Sequence, residues 1–132
     1  MKERINKLLA PFFAHGDERV VTDAATLDVF RVKAIEAGVP ADVISQLVEF
    51  YEVTNGVDCI DGFHFHSCDD EILFEWWDDK ELWLAQRDMD TLRWVNGKFM
   101  LGDAGNISYG EAYEFATLTE LMEVATNNWY QK

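Results

Sequence analysis

Positive charge is scarce in this chain. Eleven lysines and arginines stand against twenty-five aspartates and glutamates, for a net charge of −14. Phosphate attraction drives most binding to nucleic acid and to anionic membranes, and it has the wrong sign on such a surface. No apolar run approaches the ~20 residues of a membrane-spanning helix. The start, Met1-Lys2-Glu3-Arg4 followed by Ile5-Asn6-Lys7-Leu8, is too short and too polar for a signal peptide. Only two cysteines occur, Cys59 and Cys68, nine residues apart. They could form one disulfide, but without an export signal two reduced thiols in a cytoplasm are expected. The glycine-rich pieces "NGVDCIDG" and "GDAG" lack a phosphate-binding spacing and a following helix with Lys-Ser or Lys-Thr. A G-x-S-x-G nucleophile elbow and a calcium-loop spacing are also missing. These absences leave no catalytic residue to name, and no cofactor is expected.

What is present describes a packed globule. The chain has 132 residues, 48% of them hydrophobic and 14% aromatic. That length buries a sizeable core without disulfides or metals, so one domain over residues 1–132 is expected. The acidic surface would speed encounter with a basic partner. It also supplies solubility, which is the plainer account of the charge.

The first third reads helical. Ile5, Leu8, Leu9, Phe12 and Phe13 recur at spacings of three and four, with Pro11 late in the pattern to bend or end the helix. After the break "AHGDERVVTD", Thr22 or Asp23 can cap a second helix carrying Leu27, Phe30, Ala34 and Ala37 on one stripe. Gly38 stops it. A third helix opens after Pro40, carries Val43, Ile44, Leu47, Val48 and Tyr51, and ends at Asn55-Gly56.

Beyond Gly56 the period changes to two. Phe63-His64-Phe65-His66 alternates, and Leu82-Trp83-Leu84 reads as another strand. Val95-Asn96-Gly97-Lys98 is a type I′ hairpin turn, which pairs Trp94 with Phe99 and Leu92 with Leu101 on one sheet face. The opposite face receives Arg93, Val95, Lys98 and Met100. Strand-like Ile107-Ser108-Tyr109 and Ala112 to Phe115 follow, and Thr117 caps a last helix with Leu118, Leu121, Met122, Ala125 and Trp129 on one face. The expected fold is α+β, with N-terminal helices and a C-terminal helix packed on a mainly antiparallel sheet.

Two clusters invite a chemical reading. The stretch "DDEILFEWWDDKE" places Asp69, Asp70, Glu71, Glu75, Asp78, Asp79 and Glu81 around the adjacent indoles Trp76 and Trp77. Carboxylates with no catalytic geometry, rimming at least one exposed tryptophan, are what a basic protein partner would fit. The second cluster is Cys59, His64, His66 and Cys68, whose spacing matches no standard zinc motif. Histidines opposite Phe63 and Phe65 are more simply solvent-facing, so no metal site is expected. A small-ligand or metal-binding role for the His64/His66 face is the alternative function.

"VPADVISQLVEFYEVTNGVD" followed by "GFHF" resembles the start of the SUKH superfamily, which includes the yeast Smi/Knr-type cell-wall assembly regulator. The matching residues are Pro40, Leu47, Phe50, Tyr51, Asn55 and Gly56. "FMLGDAGNISY", with Gly102, Asp103, Gly105 and Tyr109, is similar to the family's strand–Gly-Asp–turn–Gly–strand, and "FATLTELMEVATNNW" to its terminal strand and helix. The resemblance spans roughly Leu27 to Trp129 and leaves Ser67 to Asp90 without a matching pattern. It implies an α+β domain without established catalysis. For bacterial members it implies an immunity protein that binds and neutralises a toxin, often a nuclease or deaminase. The expected partner is thus a basic protein, a cognate toxin domain, with neither nucleic acid nor membrane involved.

Overall fold

The computed structural model describes residues 2–13, 19–58, 64–87, 89–103, 105 and 109–130, with backbone alone at 11–13 and 127–130. The helices are α1 (Lys2–Phe13), α2 (Ala24–Ala37), α3 (Ala41–Val53) and α4 (Leu118–Tyr130). Among the described residues six strands, β1 (Val57–Asp58), β2 (His64–Phe65), β3 (Glu81–Arg87), β4 (Asp90–Val95), β5 (Lys98–Asp103) and β6 (Glu114–Phe115), form one antiparallel sheet in chain order. The fold is α+β, as its residue periods predict. None of the described helices is long and apolar enough to cross a membrane.

Local chemistry sets most boundaries. Asp23 caps α2 by accepting from the Thr26 amide at 2.7 Å, and Gly38 ends it in the left-handed region at φ 92°. Thr117 caps α4: its Oγ1 accepts from the Glu120 amide at 3.3 Å and its hydroxyl donates to Glu120 Oε1 at 2.8 Å, while Gln46 of α3 accepts from the Leu118 amide at 2.8 Å. Asn96 and Gly97 adopt φ of 47° and 96°, the positive pair of the expected turn. The register follows: Trp94 faces Phe99 and Leu92 faces Leu101, and all four are buried.

Helices cover one sheet face. α4 packs on β5 and β6, α1 on α3 and α4, and α2 on α3. Leu82, Leu84, Leu92, Trp94, Phe99 and Leu101 join Ile5, Leu9, Phe30, Leu47, Phe50, Tyr51, Leu121 and Met122 in one core. Phe50 stacks on Phe65 with centroids 3.9 Å apart, which fixes α3 against β2.

Several details depart from the periodic reading. α1 continues through Pro11 to Phe13 rather than ending at the proline. Residues 111–113 form a 3-10 turn, so the last strand shortens to Glu114–Phe115. Arg93 and Val95 are buried although they lie on the sheet face away from the helices. The break at residues 14–18 and the strand-like Ile107 and Ser108 lie outside the described residues, as do Cys59, Phe63 and the side chain of Trp129.

The α3–β1 corner is tight. At Gly56, φ is 87°, and a Cβ would stand 2.5 Å from the Phe65 carbonyl oxygen. Gly97 has a similar φ but open space around it. Gly97→Ala is therefore expected to cost about 1 kcal/mol, from backbone strain alone. Gly56→Ala adds a collision with backbone and should cost distinctly more. Urea titration of the two variants checks this, and equal losses would mean that the corner yields.

Candidate functional site

The acidic segment is not an open loop. Asp70 opens a 3-10 turn, Glu71–Phe74, its Oδ1 accepting from the Ile72 amide at 3.1 Å. A second turn spans Trp77–Asp79, and Lys80 closes it in the left-handed region at φ 62°. Leu73 is the buried plug of the segment. Phe74 packs against Phe30 of α2, with the Lys33 ammonium 5.0 Å above its ring. Asp69, Glu71, Glu75, Asp78 and Asp79 are exposed, whereas Asp70 and Glu81 are half-buried.

Neither Trp76 nor Trp77 is the freely exposed indole expected; both are half-buried. Their side chains go to opposite faces of the sheet. Trp77 turns to the helix side, donates from Nε1 to the Ala37 carbonyl at 2.7 Å and stacks against Trp94 at 5.9 Å. Trp76 turns to the outer side and stacks on Trp83 at 4.2 Å. The Arg93 guanidinium lies 4.4 Å from the Trp83 ring. Arg93 also donates to Thr91 Oγ1 at 2.9 Å, to Glu81 Oε1 at 3.2 Å and to the Asp103 carbonyl. Glu81 is thus the counter-ion of a buried arginine rather than a member of the rim. The two indoles straddle the sheet and anchor the segment that carries the carboxylates.

A feature that sequence reading passed over lies next to this segment. The outer face of α2 exposes Val29, Val32 and Ile35, 67%, 54% and 65% accessible. Their i, i+3, i+6 spacing draws one stripe along the helix. Val29 and Val32 share a shallow groove with Asp28, Lys33 and Glu36. Lys33 reaches from this groove to Phe74, so stripe and acidic segment are neighbours. The signal was available in sequence: once Leu27, Phe30, Ala34 and Ala37 are assigned inward, the remaining branched residues must point out.

The histidine pair divides. His64 is partly exposed, its Nδ1 3.5 Å from Asp58 Oδ1 across the β1–β2 pair. His66 corrects the expectation of a solvent-facing ring: its side chain is only 5% accessible. The ring keeps to the His64 side, opposite Phe65, but that side is closed at this point; the His66 amide donates to the Leu84 carbonyl at 2.8 Å, and the Tyr51 hydroxyl donates to the His66 carbonyl at 2.8 Å. The two imidazole centroids are 4.7 Å apart, and His66 Nδ1 lies 3.8 Å from Asp70 Oδ2. Both His66 ring nitrogens are buried without a hydrogen-bond partner among the described residues. Cys68, also buried, is no thiolate candidate, because burial pushes its thiol up to about 11. Among the described residues the potential metal ligands that converge are His64, His66 and Asp70.

Comparison with protein-family models, with curated proteins and with solved structures found no match.

Burial, reinforced by the neighbouring His64 and only partly opposed by Asp70, lowers the His66 imidazole to about 4. The unfolded chain binds this proton near pH 6.5 and the folded one only near 4, so stability is complete above 6.5 and declines as pH falls through that window. In chelator-treated protein the decline attributable to His66 should reach about 3 kcal/mol by pH 4. His66→Gln should flatten the profile across this window in denaturant titrations. Parallel profiles for the two proteins would contradict a buried neutral imidazole.

Proposed function

We propose that this chain is a non-enzymatic, cytoplasmic protein-binding module, an immunity protein that neutralises a basic bacterial toxin domain of nuclease or deaminase type. One observation carries the reading. Five exposed carboxylates, Asp69, Glu71, Glu75, Asp78 and Asp79, sit on a segment pinned at both sheet faces, beside the exposed Val29-Val32-Ile35 stripe.

The parts suit a basic partner. An apolar centre with a charged rim is the common anatomy of a specific protein interface. The anchored indoles reduce the ordering cost of binding, because the carboxylates already stand on a fixed support. A net charge of −14 steers a cationic surface inward from solution. Toxins that act on nucleic acid need a positively charged substrate groove, and an acidic rim can occupy it. The resemblance to the SUKH superfamily, through Pro40, Tyr51, Asn55 and Gly56, supplies the immunity role specifically.

The roles of the residues shift accordingly. Trp76 and Trp77 act as supports, and the apolar contact passes to Val29, Val32 and Ile35. The test is to express any toxin-like domain encoded by a neighbouring gene and to measure binding kinetics with it at low and at physiological salt. Association should slow as salt rises, since exposed charges are screened within about 8–10 Å. Replacing Asp78 and Asp79 by lysine should lower the on-rate at unchanged thermal stability. Val32→Asp should raise the off-rate, with about 2 kcal/mol of affinity lost if the stripe is a hot spot. Kinetics indifferent to salt and to all three substitutions would remove the acidic face and the stripe from the interface.

A further inference from the structure

We propose that His64, His66 and Asp70 form a binding site for one divalent transition-metal ion of the zinc class. The site is separate from the docking reading above, although Asp70 stands at the border of both.

Geometry comes first. One ligand atom from each of the three side chains can be chosen so that all lie within 4.8 Å of one another. Atoms bound to a single zinc at about 2.1 Å stand roughly 3.4 Å apart in a tetrahedral shell. Small side-chain rotations therefore close the set, and no strand needs to move. His64 and His66 are two apart on one short stretch, and Asp70 follows at i+4 after a turn whose Asp70 amide donates to the Ser67 carbonyl at 3.0 Å. The Tyr51 hydroxyl on the His66 carbonyl and the Cys68 amide on Asn55 Oδ1, at 2.9 Å, hold this turn in place.

The buried ring of His66 supplies the second, independent observation. A neutral imidazole offers one donor and one acceptor, and burying both unpaired is unfavourable. No hydrogen bond within the described residues explains why a histidine occupies this position. A metal ion takes up the free lone pair. His64 shows a complementary arrangement: its Nδ1 lies 3.5 Å from Asp58 Oδ1, and a proton held on Nδ1 toward that carboxylate would leave Nε2 as the ligand atom.

Two imidazoles with one carboxylate favour a borderline ion such as zinc over calcium or magnesium, which seek all-oxygen shells. Zinc, having no geometric preference of its own, accepts three protein ligands and completes its shell with water.

The experiment is a titration of the full chain, freed of metal by chelation, with zinc chloride followed by calorimetry and by metal analysis after desalting. One zinc per chain is expected, accompanied by a rise in melting temperature. His64→Asn and Asp70→Asn should each weaken binding at least tenfold and abolish that rise. Asn at position 70 retains the oxygen that caps Ile72, so the fold is preserved while a ligand is lost, and circular dichroism checks this. His15→Asn, Cys59→Ser and Cys68→Ser should bind like the parent protein. Millimolar magnesium should not displace the zinc. The proposal is overturned if the parent chain retains no zinc, if the His64 or Asp70 variants bind as tightly as the parent, if the His15, Cys59 or Cys68 variants lose the ion, or if magnesium displaces it.

Discussion

The α3–β1 corner holds the molecule together. Thr54 is fully buried, and its hydroxyl donates to the Gly56 carbonyl at 2.7 Å. The Asn55 amide donates to the Val20 carbonyl at 2.7 Å, and the Asn55 side chain accepts from the Cys68 amide. Gly56 lets the Phe65 carbonyl come closer than any side chain would permit. One turn before, Tyr51 reaches the carbonyl of His66. Three stretches far apart in sequence, the approach to α2, the end of α3 and the exit of β2, thus meet in a few residues. Deprotonating Tyr51 would place a charge in that knot, and burial accordingly raises its hydroxyl well above the usual tyrosine range.

Everything of functional interest leaves from this knot. The chain passes from His66 through Cys68 into the acidic segment, so that segment has a fixed root. Its far end is fixed as well, where the Glu81 amide donates to the Trp76 carbonyl at 3.2 Å. Seven carboxylates in thirteen residues repel one another. On exposed surfaces such like-charge pairs oppose folding by only a few tenths of a kcal/mol each. Half-burying an indole returns about 2 kcal/mol, from roughly 100 Å² removed from water. Two indoles, a buried Leu73 and a packed Phe74 therefore outweigh the repulsion. The tryptophans are the reason so much negative charge can be held in one compact place.

The fold was legible in sequence where a local signal agreed with burial. Asn96-Gly97 fixed the hairpin register, and Asp23, Gly38 and Thr117 marked helix ends, because a cap is read from one or two residues. The candidate site was legible only in part. Glu81 looked like one carboxylate among seven, and its pairing with Arg93 depends on the β3–β4 register. Trp76 and Trp77 looked like surface hot spots, but adjacent residues send side chains in different directions, and a sheet edge lay between them. His66 looked solvent-facing because the face opposite Phe65 was taken to be open; the ring does share that face with His64, but it is buried there, and its amide pairs with the Leu84 carbonyl of β3. Long-range pairings of this kind leave no periodic trace.

Asp70 shows how the two surfaces are joined. Its Oδ1 caps the first 3-10 turn, and its Oδ2 faces His66. An ion held by His64, His66 and Asp70 would tie β2 directly to the root of the acidic segment. The rim carboxylates Asp78 and Asp79 belong to the second turn, beyond Leu73, and are not among the converging ligands. Metal and partner would then communicate through rigidity rather than by competing for the same carboxylates: the ion stiffens the segment at its start, and the indoles already hold its end.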